Sequence, residues 1–204
     1  LRTESETIRT FLSLLELGRE RYSLSRVLAV LESPSVRNRF RLSGRDLETL
    51  RTWTVETGIR WGLDEEDRAA RGLPAFGENT WASGLQRLLL GYAVAGAGER
   101  TFQGILPYDH IEGGHADLLE KLLTFTSALF ELLPRFERPA PPQVWYHNLN
   151  ELLDRLFEPD GDARHEALAL RRAVAEVLDA TDAGPGEEGP LMHLDVIRSL
   201  LERR

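Results

Sequence analysis

The chain has 204 residues, of which 42% are hydrophobic and 28% are charged, and its formal net charge at pH 7 is -8. These proportions are those of a globular domain and exclude intrinsic disorder or a collagen-like repeat for the whole chain. The excess of acidic residues argues against a broadly basic nucleic-acid-binding domain. The absence of cysteine from the sequence excludes disulfides, a thiolate nucleophile and a cysteine zinc site.

Two further features bear on where the protein works. The longest uncharged apolar run, residues 88–98, is shorter than the roughly 18 to 20 residues that cross a bilayer, so we expect a soluble protein with no membrane partner. The start at Leu1 shows neither the basic nor the continuous apolar part of a secretion signal. We therefore expect an excised fragment of a longer, cytoplasmic protein.

Two helices are predicted near the start of the chain. Apolar residues at helical spacing predict a helix over about 3–17, which ends at Gly18 as a left-handed C-cap. Ser23 is placed to cap a second, short helix, which Pro34 keeps from continuing far.

A third helix is the best defined of those in the first half. Ser43 and Asp46 have the spacing of a capping box, which predicts a helix over about 44–56 that stops at Gly58. The acidic run at 64–67 then favours a brief helix, because carboxylates stabilise the positive end of the helix dipole.

The next helix follows a loop at 72–79 and begins after Thr80 as its N-cap. Leu89 and Leu90 widen its apolar stripe, so we expect this helix to approach full burial. The stripe itself consists of Trp81, Leu85, Leu88 and Tyr92.

The rest of the chain is also helical in pattern. A long helix is predicted over about 115–133, closed by Pro134, and the proline-rich segment 139–142 is the best internal boundary. The sequence thus divides into a helical domain at 1–138 and C-terminal helices at 143–204 that pack on it. Those helices are expected at about 143–157, 163–179 and from residue 191 to the C-terminus. The fold class is mainly α.

Few patterns point to catalysis. The single lysine, Lys121, is in a predicted helix and belongs to no phosphate-binding loop. Asp160, Asp162 and Glu166 resemble a nuclease carboxylate set, but turn and N-cap roles explain them better. We therefore predict no catalytic residue and no metal site.

One segment leaves a metal-dependent alternative open. Two imidazoles and two carboxylates, the ligand types that zinc or manganese accepts, fall within seven residues as Asp109, His110, Glu112 and His115. They would serve a stand-alone metal-dependent hydrolase. The other interpretation is a polar loop that leads into the following helix.

The basic residues Arg37, Arg39, Arg41 and Arg45 form a cluster around Phe40. Such a group can hold phosphates, with the aromatic ring beside it stacking on a base. The alternatives are ion pairs with nearby helix carboxylates, or contact with an acidic partner in a pure protein-interaction module. The tryptophans, in contrast, are predicted to anchor the core, because Trp53 and Trp81 lie on leucine stripes.

Several short motifs together identify a family. They are RVLAVLESP at 26–34, LSGRDL at 42–47, LRTW at 50–53, GIRWGLD at 58–64, NTW at 79–81, GLQRLLLGY at 84–92 and LPYD at 106–109. This set resembles the gamma subunit of bacterial exodeoxyribonuclease V, the RecC family, most strongly over about 24–119. The matching positions read as fold determinants, namely Trp53, Gly58, Trp61, Asp64, Trp81, Gly91 and Tyr92.

The resemblance implies a helicase-like fold of superfamily 1, of which this chain is a helical accessory insertion. It implies a fragment without ATPase or nuclease activity and without a cofactor, since ATP and Mg²⁺ are used by other subunits. The implied partners are the beta (RecB) and alpha (RecD) subunits, with DNA in the context of the complex. The implied role is to scaffold that complex and guide DNA in double-strand-break repair and homologous recombination. No Chi-reading residue of the family is assigned here.

Overall fold

The computed structural model describes residues 5–94, 100–111, 113–179 and 189–202. These ranges form ten α-helices: α1 Glu6–Glu16, α2 Leu24–Glu32, α3 Pro34–Phe40, α4 Gly44–Glu56, α5 Glu65–Ala70, α6 Trp81–Ala93, α7 Ala116–Leu132, α8 Pro142–Leu156, α9 Ala163–Asp179 and α10 Leu194–Glu202. Short 3₁₀ segments precede and follow α7, at Gly113–His115 and Leu133–Glu137. Extended pairing in the described ranges is limited to two isolated bridges, Phe102 with Ile105 and Ala140 with Met192. The predicted mainly α fold is confirmed.

Three helix starts have the predicted side-chain caps, and the cap predicted at Ser23 stays a prediction. The Ser43 hydroxyl accepts a hydrogen bond from the Asp46 N–H at 3.2 Å, and the Asp46 carboxylate accepts one from the Ser43 N–H at 2.8 Å. Asp64 caps α5 and Thr80 caps α6, where their side chains accept from the N–H groups of Asp67 and Ser83. These hydrogen bonds satisfy N–H groups that a helix cannot pair internally.

Across the described residues, no helix combines the length and apolar character needed to cross a membrane.

The prediction for the end of the first helix is wrong. Gly18 does not have the left-handed backbone predicted for it, since its φ angle is not positive, and α1 ends at Glu16 with Leu17 as its right-handed C-cap. A Cβ added at Gly18 would lie 2.5 Å from the Glu137 Oε1 atom, so this glycine permits a close approach. The second helix stops short of Pro34 as predicted, since α2 ends at Glu32. Pro34 is the first residue of α3, a position where the missing N–H costs nothing.

The chain forms two compact units. The first consists of Leu1–Arg19, Ala29–Phe40 and Ala128–Arg204, and the second of Glu20–Leu28 and Arg41–Ser127. The proline-rich segment 139–142, predicted as the internal boundary, lies inside the first unit. The division into a helical domain at 1–138 and C-terminal helices at 143–204 that pack on it stays a prediction.

The first unit is built around α9. Helices α1, α8 and α10 each pack against it. Its buried apolar residues include Phe11, Leu149, Leu170 and Ile197. The indole Nε1 of Trp145 donates a hydrogen bond to the Met192 carbonyl at 3.0 Å, which joins α8 to the segment before α10.

The second unit has its core where α4 and α6 present tryptophans. Trp53 and Trp81 are buried, and the Trp81 Nε1 atom donates to the Tyr22 carbonyl at 2.8 Å. The expected near-complete burial of α6 is not observed. Leu89 and Tyr92 are exposed, and Leu90 is half-buried.

Candidate nucleic-acid interface

Arg37 and Arg39 lie on α3 in the first unit. The helix buries Val36 and Phe40, so the arginines occupy its outer face, with Arg37 half-buried and Arg39 exposed. The Arg39 Nε atom donates to the Arg155 carbonyl at 3.2 Å. A guanidinium of this kind can still hold a phosphate through its fork of donors.

Arg41 and Arg45 belong to the second unit, at the start of α4. Both are exposed, and Arg41 has a left-handed backbone with φ of 52°. Neither guanidinium forms an ion pair with a carboxylate of the described residues, so the predicted pairing with nearby helix acids is not observed at these two positions. The structure therefore divides the predicted cluster into two pairs, one in each unit.

Asp46 is the acidic group next to this second pair. Burial alone would raise the pKa of its carboxyl, but the hydrogen bonds from Ser43 outweigh burial and hold that pKa below its usual value. The charges of Lys121 and Arg45 act in the same direction. Asp46 is therefore ionised near neutral pH and partly offsets the positive charge of Arg45.

A second group of arginines in the first unit is already neutralised. Arg135 donates to Glu151 at 2.7 Å and to Glu131 at 2.9 Å, and Arg155 donates to Glu131 at 2.8 Å. The hydrogen bond from Arg155 holds the pKa of Glu131 below its usual value. Two cations and two anions cancel here, so this network does not attract an anion.

The sequence analysis did not single out Arg68, a buried arginine with several backbone contacts. It is only 6% exposed, and its guanidinium donates to the backbone carbonyls of Phe76 at 2.6 Å, Glu78 at 2.8 Å and Trp61 at 3.1 Å. The same guanidinium lies 4.0 Å from the centre of the Trp61 ring. Arg68 thus holds the loop at 72–79, and no local pattern could reveal it because its partners are backbone atoms.

The other motif positions are placed as follows. Gly58 has φ of 85°, a conformation that glycine adopts without a Cβ clash, and Asp64 caps α5. Gly91 faces the Tyr108 backbone so closely that an added Cβ would lie 1.8 Å from the Tyr108 carbonyl oxygen. Tyr92, one residue further on, is exposed.

The residues of the metal-dependent alternative do not come together. Asp109 and His110 are exposed, and the His110 ring meets the Tyr108 ring edge-on, with 5.4 Å between the ring centres. His115 instead meets the Trp53 ring edge-on, also with 5.4 Å between the ring centres. Glu112 lies outside the described residues. Within those residues no three histidine or carboxylate groups are grouped as metal ligands, Asp160, Asp162 and Glu166 included.

Comparison with known proteins identifies the family. The family model described as "RecBCD enzyme subunit RecC fourth domain" matches residues 4–204. The chain is 32% identical over 203 residues to RecBCD enzyme subunit RecC of Escherichia coli K12, covering 100% of this chain and 18% of that protein. It is 31% identical over 190 residues to the RecC subunit of Mycolicibacterium smegmatis and 30% identical over 190 residues to that of Mycobacterium tuberculosis H37Rv. Each of these two matches covers 93% of this chain and 17% of the relative, so the chain spans about a fifth of the length of these relatives. The chain belongs to the family of the fourth domain of the RecBCD enzyme subunit RecC.

Proposed function

We propose that this chain is a non-catalytic helical domain of a RecC-type subunit that works in a RecBCD enzyme. The observation behind the proposal is the family match, which extends over residues 4–204. In this proposal ATP and Mg²⁺ are used by other subunits, and this domain has no cofactor of its own. The process served is double-strand-break repair and homologous recombination in the bacterial cytoplasm.

The partners in this proposal are the RecB and RecD subunits, which the domain helps to hold in place. The names of the relatives support a role within such an assembly, since each is printed as a subunit of the RecBCD enzyme. Pull-down of RecB and RecD by a full-length RecC-type subunit, with and without residues 1–204, tests the scaffolding role. Equal recovery of both subunits without the domain would contradict it.

A second part of the proposal is that the domain guides DNA through Arg37, Arg39, Arg41 and Arg45. The exposure of Arg39, Arg41 and Arg45 supports it, because an exposed guanidinium can bind a phosphate through two parallel hydrogen bonds. Since the chain has a net charge of -8, such contacts would be local rather than spread over a basic face.

A salt titration of DNA binding by the assembled enzyme tests this part. The variant combines Arg39→Gln, Arg41→Gln and Arg45→Gln, and the control combines Arg138→Gln, Arg164→Gln and Arg172→Gln, which are also exposed and remove the same charge. If three phosphate contacts are lost, the slope of log K against log[salt] should fall by about 2 for single-stranded DNA. If the salt slope were the same in both variants, the DNA-guiding role would be contradicted, and the domain would be a protein-interaction module without DNA contact.

A further inference from the structure

An apolar groove lies in the second unit between α6 and the turn at residues 102–105. Its volume is about 520 Å³, and it is lined by Gln86, Leu89, Leu90, Phe102, Gln103 and Ile105. The three α6 residues share one face, because positions three and four apart are neighbours on a helix. Leu89 is 43% exposed and Phe102 is 37% exposed, so the groove opens to solvent.

The wall opposite α6 is held by polar bonds. Phe102 and Ile105 exchange two backbone hydrogen bonds of 2.9 Å, and the positive φ angles of Gln103 and Gly104 form a type I′ turn between them. The Arg87 Nε atom donates to the Leu106 carbonyl at 2.9 Å. The turn is therefore fixed on α6 without help from the side chains in the groove, and the groove is preformed.

The exposure of this face conflicts with the composition of α6. A helix that is apolar on most sides is normally buried. On α6, however, Leu89 is 43% exposed and Tyr92 is 46% exposed. The segment that follows α6, residues 95–99, has the sequence AGAGE and supplies no large apolar side chain. Exposed apolar faces of this kind are typical of interaction sites.

We propose that the groove receives an aliphatic segment from another part of the same RecC-type polypeptide. The described residues that line the groove carry no charged side chain, so they offer no cation to a phosphate and favour a neutral, apolar occupant. A cavity of roughly 150 Å³ holds a benzene ring, so 520 Å³ accommodates several aliphatic side chains. The amides of Gln86 and Gln103 can hydrogen-bond the backbone of such a segment.

The length of the relatives favours this occupant over a separate subunit. The chain covers 18% of the E. coli relative, so most of that polypeptide lies outside the matched region. A segment in the same polypeptide docks at a high effective concentration, which a separate subunit lacks. This inference rests on the family membership and is independent of the DNA-guiding proposal.

Photo-crosslinking in a full-length RecC-type subunit tests the proposal. Phe102 is replaced by the photoreactive analogue p-benzoylphenylalanine, and the matched control replaces Phe76, which is 65% exposed in the same unit but does not line the groove. Mass spectrometry should find crosslinks from position 102 to an aliphatic segment outside residues 1–204, and markedly fewer from position 76. Crosslinks from position 102 only to residues 1–204, to RecB or RecD, or to DNA would overturn the proposal, as would equal yields at both positions.

A second measurement covers the case in which the analogue itself disturbs docking. Leu89→Gln in the full-length subunit should speed proteolysis at the docked segment by about tenfold, the factor expected when one leucine loses its apolar cover. Leu168→Gln, at an exposed leucine on α9 in the other unit, is the control and should leave the rate unchanged. Circular dichroism of both variants checks that the helices are intact. An unchanged cleavage rate in Leu89→Gln would overturn the proposal.

Discussion

At the scale of single residues, two positions hold the second unit together through backbone atoms. Arg68 donates to three carbonyls around the loop at 72–79, and Gly91 lets the backbone of Tyr108 lie directly against α6. The family motifs predict that Gly91 is a fold determinant. The close approach of the Tyr108 backbone gives a physical reason for that prediction. A side chain at position 91 would occupy the place of a carbonyl that cannot move without moving its whole segment.

Gly91→Ala is therefore expected to destabilise the protein by about 3 kcal/mol, the upper range for overpacking. The matched control is Gly44→Ala at the first position of α4, where an added Cβ meets nothing within 4 Å. That control should be neutral or slightly stabilising, because alanine costs less backbone entropy than glycine. Urea unfolding followed by circular dichroism measures both. A loss in Gly91→Ala no larger than that in Gly44→Ala would contradict the close-approach explanation.

At the scale of elements, the helices follow local rules, and α4 shows this best. Its capping box was predicted from Ser43 and Asp46 alone, because both partners lie within one turn. In contrast, α3 was not predicted. It is only seven residues long and begins at Pro34, so it shows too little periodicity to be recognised and its proline reads as the end of α2.

The cap predicts a pH dependence. The pKa of Asp46 is lower in the folded chain than the value near 3.9 expected in the unfolded chain, so its ionised form stabilises the fold above about pH 4. This contribution is lost as the pH falls through the folded-state pKa. Asp46→Asn should cost about 1 kcal/mol at pH 7, with the difference from the parent narrowing below about pH 4. Glu48→Gln, exposed on the same helix, is the control for thermal unfolding between pH 3 and 7. A constant difference across that range would contradict the role of the Asp46 charge.

At the scale of the whole molecule, the first unit combines segments from both ends of the chain. Arg198 on α10 donates to Glu16 on α1 at 2.6 Å, and α10 also packs against α9. The last helix is therefore part of the first unit rather than an appendage. Its neighbouring residues Ile197 and Val196 differ sharply, with Ile197 fully buried and Val196 47% exposed.

Ile197→Ala should lower the free energy of unfolding by about 3 kcal/mol, since it leaves a cavity in the core. Val196→Ala, on the same helix, should change it by less than about 0.5 kcal/mol. Chemical denaturation of the two variants and the parent measures the difference. Similar small losses in both would show that α10 does not support the core.

The sequence by itself determined the mainly α class, most helix bounds and the family. Periodicity, caps and turns depend on residues within a few positions of one another, so these features can be recognised locally. The short motifs that identify the family have the same local character.

Only the tertiary structure decided which residues face which surroundings. It divided the four arginines into two pairs, placed Arg68 against distant carbonyls and left Leu89 exposed. Contacts of this kind join residues far apart in the chain, and they depend on how the helices pack. No local pattern records that packing, because the same stripe of leucines is compatible with burial in its own domain and with burial against another segment.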